Sequence, residues 1–235
     1  MNQSVSPSSA VDLDPIVLNP SGPTIASVIW LHGLGADGHD FEPVAQQMGL
    51  LDRGVRFVFP QAPVQPVTIN GGLAMRSWYD LLGEDFWVRE DEAGIRASSQ
   101  AIVTLLKSEI ARGVPAGRVV LAGFSQGGAI TLHAGLRLPW RLAGLMALST
   151  YLPLAASLDA EFDPVNVGLP VFSGHGSADP LIPIRLANEW RKRLQAKGLV
   201  LESHDYPIEH GVAIEEIIDI RDWLVAILGL DESGP

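Results

Sequence analysis

Short apolar runs recur along the chain, separated by stretches in which apolar residues return every three or four positions. The runs are residues 27–31 (SVIWL), 55–59 (VRFVF), 118–122 (RVVLA), 142–148 (LAGLMAL), 169–173 (LPVFS) and 200–206 (VLESHDY). Near-continuous apolar composition over so few positions suits strands buried on both faces of a parallel sheet. Between them, residues 91–112 set Ile95, Ile102, Leu105, Leu106 and Ile110 at helical spacing. A second helix pattern, 126–138, follows the run 118–122. A third, 184–197, carries Leu186, Trp190 and Leu194 and stops before Gly198, a good helix terminator. The last, 212–228, closes the chain. Alternation of strand and helix predicts an α/β fold with a mostly parallel central sheet and helices on both faces. We expect one domain over residues 23–230, a flexible tail over 1–22 and a short C-terminal tail over 231–235. Residues 61–90 show little periodicity, and a long irregular insertion in a compact domain is often functional.

Composition narrows the chemistry. The 235 residues include no cysteine, which removes disulfides, thiolate nucleophiles and cysteine zinc sites. The formal net charge is -11, a surface that repels a phosphate backbone, so nucleic acid is not an expected partner. The first 20 residues hold no lysine or arginine and no sustained apolar core, unlike a signal peptide. Two stretches without charged residues, 119–136 and 142–158, are interrupted by glycine or proline and carry Ser and Thr, so they read as buried elements, not membrane spans. A cytoplasmic protein without stable membrane insertion is the resulting expectation.

The sequence Gly123-Phe124-Ser125-Gln126-Gly127 matches G-x-S-x-G between an apolar run and a helix pattern, the strand–turn–helix context that motif needs. A nucleophile on a tight, strained turn leaves no room for side chains two positions away, and Gly123 and Gly127 remove them. Ser125 would then stand beside a helix N-terminus, whose dipole favours developing negative charge.

A serine hydroxyl needs a base. There are six histidines. In this motif's usual chain order, serine precedes acid and acid precedes histidine, which excludes His32 and His39. His133 lies on the helix after Ser125 and should face packing. His175 precedes the best acid, and His204 falls inside a strand pattern. His210 follows the last strand, on a loop at its carboxyl end. Asp179, directly after the run 169–173, is the preferred acid over Asp159 and Asp163, which precede that run. One oxyanion donor should be the Gln126 N–H. The second should come from the glycine-rich loop His32-Gly33-Leu34-Gly35, with Leu34 the chosen amide. That loop lacks the lysine of a phosphate-binding P-loop.

The segments HGLGADGHDF, GFSQGG, HGSADPLIP and EHG, with MRSWYDL and REDEAGI between them, resemble the carboxylesterase and acyl-protein thioesterase family of the α/β-hydrolases. The likeness runs from about Ile29 to the last helix. It implies Ser125 as nucleophile, Asp179 as acid, His210 as base and the Leu34 and Gln126 amides as oxyanion donors. It further implies hydrolysis of short to medium acyl esters or thioesters without metal or cofactor, small-molecule substrates, and a possible homodimer. Met75, Trp78 and Tyr79 in the middle region are the expected acyl contacts, although Trp78 also suits a core position. A lipase or peptidase on the same fold would carry the same residues. A non-catalytic relative would be expected to have lost one of the three.

Overall fold

The computed structural model describes residues 13–85 and 87–230. Its centre is a seven-stranded sheet built from β1 (Ile16–Leu18), β2 (Ala26–Leu31), β3 (Val55–Phe59), β6 (Val119–Phe124), β7 (Gly144–Leu148), β8 (Pro170–Gly176) and β9 (Val200–Tyr206), in the order β1-β3-β2-β6-β7-β8-β9. Every pairing is parallel except β1 with β3. A separate antiparallel hairpin, β4 (Val64–Val67) with β5 (Leu73–Arg76), lies in the segment without periodicity. The helices are α1 (Glu42–Gln47), α2 (Glu92–Ala111), α3 (Gln126–Gly135), α4 (Leu158–Glu161), α5 (Ile184–Ala196) and α6 (Ile214–Ile227).

Side chains alternate across the pleat, so each central strand feeds two cores. Ile29, Leu31, Leu121 and Leu145 belong to one core, with Ile102 of α2, Ile130 of α3 and Trp190 of α5. Val28, Trp30, Val120 and Met146 belong to the other, with Ala45 of α1 and Trp223 of α6. Full burial of such a side chain is worth about 1.5–3 kcal/mol relative to exposure. This two-faced burial is why the central runs read as continuously apolar; β9, at the sheet edge, is mostly exposed and carries Glu202, Ser203, His204 and Asp205.

The main strands and four long helices lie within two to three residues of their expected places. The N-terminal expectation needs correction: residues 16–18, placed in the tail, form β1. Leu13 is buried as well, and its carbonyl accepts from Gln61 N at 2.7 Å. An antiparallel pairing to Phe57, Val58 and Phe59 captures this segment, although three residues between Pro15 and Pro20 give little strand signal. Residues 1–12 and the expected tail 231–235 lie outside the described residues.

Candidate active site

Ser125 sits between the last residue of β6 and the first of α3, with φ 54° and ψ -119°. Such a backbone costs a non-glycine residue about 1–3 kcal/mol and persists only where the surroundings impose it. Here they do. Ser125 N donates to Leu148 O at 2.9 Å, and Thr150 Oγ1 donates to Ser125 O at 2.7 Å. A Cβ on Gly123 would lie 2.3 Å from Gly127 O, and one on Gly127 would lie 2.5 Å from His32 O. Only glycine at both positions lets α3 start this close to β2 and β6.

His210 follows β9 and Asp179 follows β8, so both share the carboxyl edge of the sheet with Ser125. His210 Nε2 is 2.9 Å from Ser125 Oγ, and His210 Nδ1 is 2.6 Å from Asp179 Oδ2. A carboxylate only accepts, so Nδ1 carries the proton and Nε2 is left to accept from the hydroxyl. The other Asp179 oxygen accepts from Leu181 N at 2.8 Å and Ile182 N at 2.9 Å. Burial pushes the Asp179 pKa up, but the bonds from His210, Ile182 and Leu181 outweigh it and hold the carboxyl below its ordinary value. Ser149 Oγ donates to Gly211 O at 3.3 Å, tying the His210 loop to the end of β7.

The other histidines are engaged elsewhere. His32 Nε2 accepts from Ala62 N at 3.0 Å, which leaves Nδ1 to donate to Gly33 O at 2.7 Å. Burial lowers its pKa, so the ring that shapes the glycine-rich loop is neutral. His39 pairs with Glu42 and His204 with Glu202. His133 faces α2, with Nδ1 2.7 Å from Ser99 Oγ, and burial lowers its pKa to about 3. His175 Nε2 donates to Ile182 O at 2.8 Å beneath the Asp179 turn. Of the rival acids, Asp159 pairs with Arg193 and Lys197, and Asp163 accepts from Val165 N.

A cavity of about 450 Å³ opens on Ser125 and His210. Leu34 and Gln126 border it, with Ile69, Tyr79, Leu81 and Ile182 supplying apolar walls. Of the three residues expected to touch an acyl chain, only Tyr79 lines this cavity. Trp78 is 1% exposed, and its indole N–H donates to His32 O at 2.9 Å, so it fills the core. Met75 lies half-buried behind the loop, with its sulfur 3.6 Å from where a Gly35 Cβ would stand. Both residues lie in a bend after β5, where the backbone turns between one side chain and the next.

Several contributors were not singled out in the sequence. Ile69, Leu81, Tyr151 and Ile182 line the cavity, while Ser149 and Thr150 brace the His210 and Ser125 turns. Ser149 and Thr150 directly follow β7, at the strand end where sites of open α/β sheets collect, and that was the available signal. Among the described residues, no group of three or more His, Asp or Glu could hold a metal ion, and no helix is long and apolar enough to cross a membrane.

A mostly parallel sheet with a strained serine elbow, and a histidine and aspartate on later strand ends, defines an α/β-hydrolase. The chain matches the phospholipase/carboxylesterase family over residues 13–228. It is 39% identical to acyl-protein thioesterase 1 of Mycosarcoma maydis, covering 92% of this chain and 98% of that one. It is 34% identical to acyl-protein thioesterase 1 of Schizosaccharomyces pombe, over 92% and 97% of the two chains. The crystal structure of Arabidopsis thaliana SOBER1 superposes with a TM-score of 0.81 at 30% identity, covering 87% of this chain and all of that one. Zea mays acyl-protein thioesterase 2 gives 0.77 at 25% identity, over 92% and 99%. The chain therefore belongs to the phospholipase/carboxylesterase family and is an ester-cleaving enzyme of the serine-hydrolase type.

Proposed function

We propose that the protein hydrolyses carboxylic ester and thioester bonds of short to medium acyl chains, with Ser125 as nucleophile, His210 as general base and Asp179 as its orienting acid. The observation that carries this reading is the unbroken hydrogen-bond chain from Asp179 through His210 to Ser125, opening on an apolar cavity. The relatives named acyl-protein thioesterase support extending the reading to thioesters.

His210 Nε2 takes the Ser125 proton as Oγ bonds to the substrate carbonyl carbon, and the carbonyl π electrons move onto oxygen. The Gln126 and Leu34 N–H groups stabilise that oxyanion, where loss of one such donor costs about 10²–10³ in rate. The Gln126 amide lies at the N-terminus of α3, so the helix dipole adds to the hydrogen bond. Collapse expels the alcohol or thiol, which leaves with the proton from His210. Water, deprotonated by His210, then attacks the acyl-Ser125 ester, and His210 returns that proton to Ser125 Oγ as the acid is released. Asp179 stays ionised throughout and balances the imidazolium. No cofactor or metal enters these steps.

The deciding experiment compares wild type with Ser125→Ala on p-nitrophenyl butyrate and butyryl-thiocholine, alongside labelling by a fluorophosphonate probe. Wild type should label once per chain and turn over both substrates; S125A should do neither above background. Unchanged turnover in S125A would remove Ser125 from the mechanism. The reading also carries a cytoplasmic location and a homodimer as expectations, checked by fractionation and by sedimentation equilibrium.

A further inference from the structure

We propose that Tyr151 is the residue that limits acyl-chain length, because its ring is the partition between the Ser125 cavity and a second cavity, partly apolar, behind it. Tyr151 is 3% exposed and lines both spaces. The second cavity measures about 490 Å³; Trp87, Val88, Leu152, Ala155, Leu186 and Trp190 give it apolar surface, and Asp85, Arg185, Glu189 and Arg193 also line it. No other residue borders both cavities among those described. A chain growing inward from Ser125 therefore ends on this ring, and beyond it lies further space with apolar surface and charged residues in its lining.

The partition is held from several directions. Its hydroxyl is 2.9 Å from that of Tyr79, a wall of the first cavity. Its neighbour Thr150 donates through Oγ1 to Ser125 O at 2.7 Å, and Trp190 Nε1 donates to Thr150 O at 3.1 Å. The segment carrying the ring is thus fastened both to the nucleophile turn and to a wall of the second cavity. Burial raises the pKa of both tyrosine hydroxyls, so the pair is a neutral hydrogen bond, and an alkyl chain meets ring surface with no charge to desolvate.

This inference rests on the acyl-transfer reading above, and the test separates the two. kcat/KM is measured on p-nitrophenyl esters from acetate to palmitate, and the long-to-short ratio is the readout. In wild type the ratio should fall about tenfold or more beyond medium chains, since a methylene that does not fit is worth about that much. Tyr151→Ala and the milder Tyr151→Leu should raise the ratio about tenfold or more. Tyr151→Phe, which keeps the ring, should retain the wild-type ratio. In the double variant Y151A with Ala155→Trp, which refills the second cavity, the ratio should return toward wild type.

A wild-type profile that stays flat to palmitate would overturn the proposal without any variant. So would a folded Y151A or Y151L with the wild-type ratio, or a Y151F that shifts it as far as Y151A. Absence of fluorophosphonate labelling and of acetate-ester turnover in wild type would instead defeat the hydrolase reading, and the partition with it.

Discussion

The side chain of Gln126 holds the backbone of Trp78: its Oε1 accepts the Trp78 N–H at 2.9 Å. Its Nε2 donates to Tyr79 O at 2.7 Å and to Ser77 Oγ at 3.1 Å. The residue whose own amide is proposed to serve the oxyanion therefore also positions the segment that supplies the Tyr79 wall. Gln126→Leu leaves the buried Trp78 N–H unpaired, at about 1–3 kcal/mol, while Tyr79 O keeps the bond from Ser77 Oγ. We expect a lower Tm together with reduced kcat/KM. Urea unfolding and ester kinetics on the same preparation check this, and wild-type stability in Q126L would show that the clamp carries no weight.

Asp179→Asn should cut kcat by about 10⁴ while leaving the fold intact. The amide oxygen can still accept from Leu181 and Ile182, but the NH₂ then faces His210 Nδ1. Two donors cannot pair, so the ring is driven to the tautomer that cannot accept from Ser125. Because the carboxyl of Asp179 is held below its ordinary value, its protonation should cost activity only at lower pH than an ordinary aspartate would. The pH profile of kcat and a near-UV CD spectrum of D179N test both halves.

Arg56 and Glu109 form an ion pair at 3.2 Å with both side chains buried, and Ser27 Oγ also donates to Glu109 at 3.0 Å. Glu109→Ala strands the guanidinium in the interior and should cost about 3–5 kcal/mol, whereas replacement of both partners by apolar residues should cost far less. Denaturant midpoints of E109A and of the double variant with Arg56→Met distinguish the two outcomes.

Glu216, in the first turn of α6, has no exposed surface; its Oε2 accepts from Ala213 N at 3.3 Å. Burial raises its pKa from 4.5 to about 7. The folded state thus holds a proton that the unfolded chain releases, and stability falls as pH rises from about 4.5 to 7, then levels off. Glu216→Gln removes that titration. Its stability relative to wild type should rise across this window, by on the order of 3 kcal/mol at most. Urea unfolding at pH 5 and pH 8 reads the difference; equal offsets at both values would contradict it.

What could be read from the chain tracks how local the signal is. The runs 27–31, 55–59 and 118–122 show because both faces of β2, β3 and β6 are buried, so no polar alternation hides them. The places of Ser125 and Asp179 were legible because each lies a few residues past such a run, whereas His210 follows the mostly exposed edge strand β9 and was legible from chain order. β4 was not: it contains Pro66, pairs only with β5 and lies mostly exposed, so neither composition nor period marks it. The substrate walls fared worst. Ile69, Leu81, Tyr151 and Ile182 come from four loops, and only the closed fold decides which side chain of each loop points inward. Trp78 and Tyr79 make the point: both are buried in the same core, yet only Tyr79 also borders the cavity.

The positive φ at residue 125 sets chemistry against endurance at one position. An alanine there removes the proposed nucleophile yet keeps the strained bend. A glycine abolishes it and lets the backbone relax, so Ser125→Gly should melt above Ser125→Ala and, by about 1 kcal/mol, above the working enzyme as well. Sturdiness and turnover then compete for the same pair of dihedral angles, and a screen that rewards heat tolerance alone would drift toward inert protein.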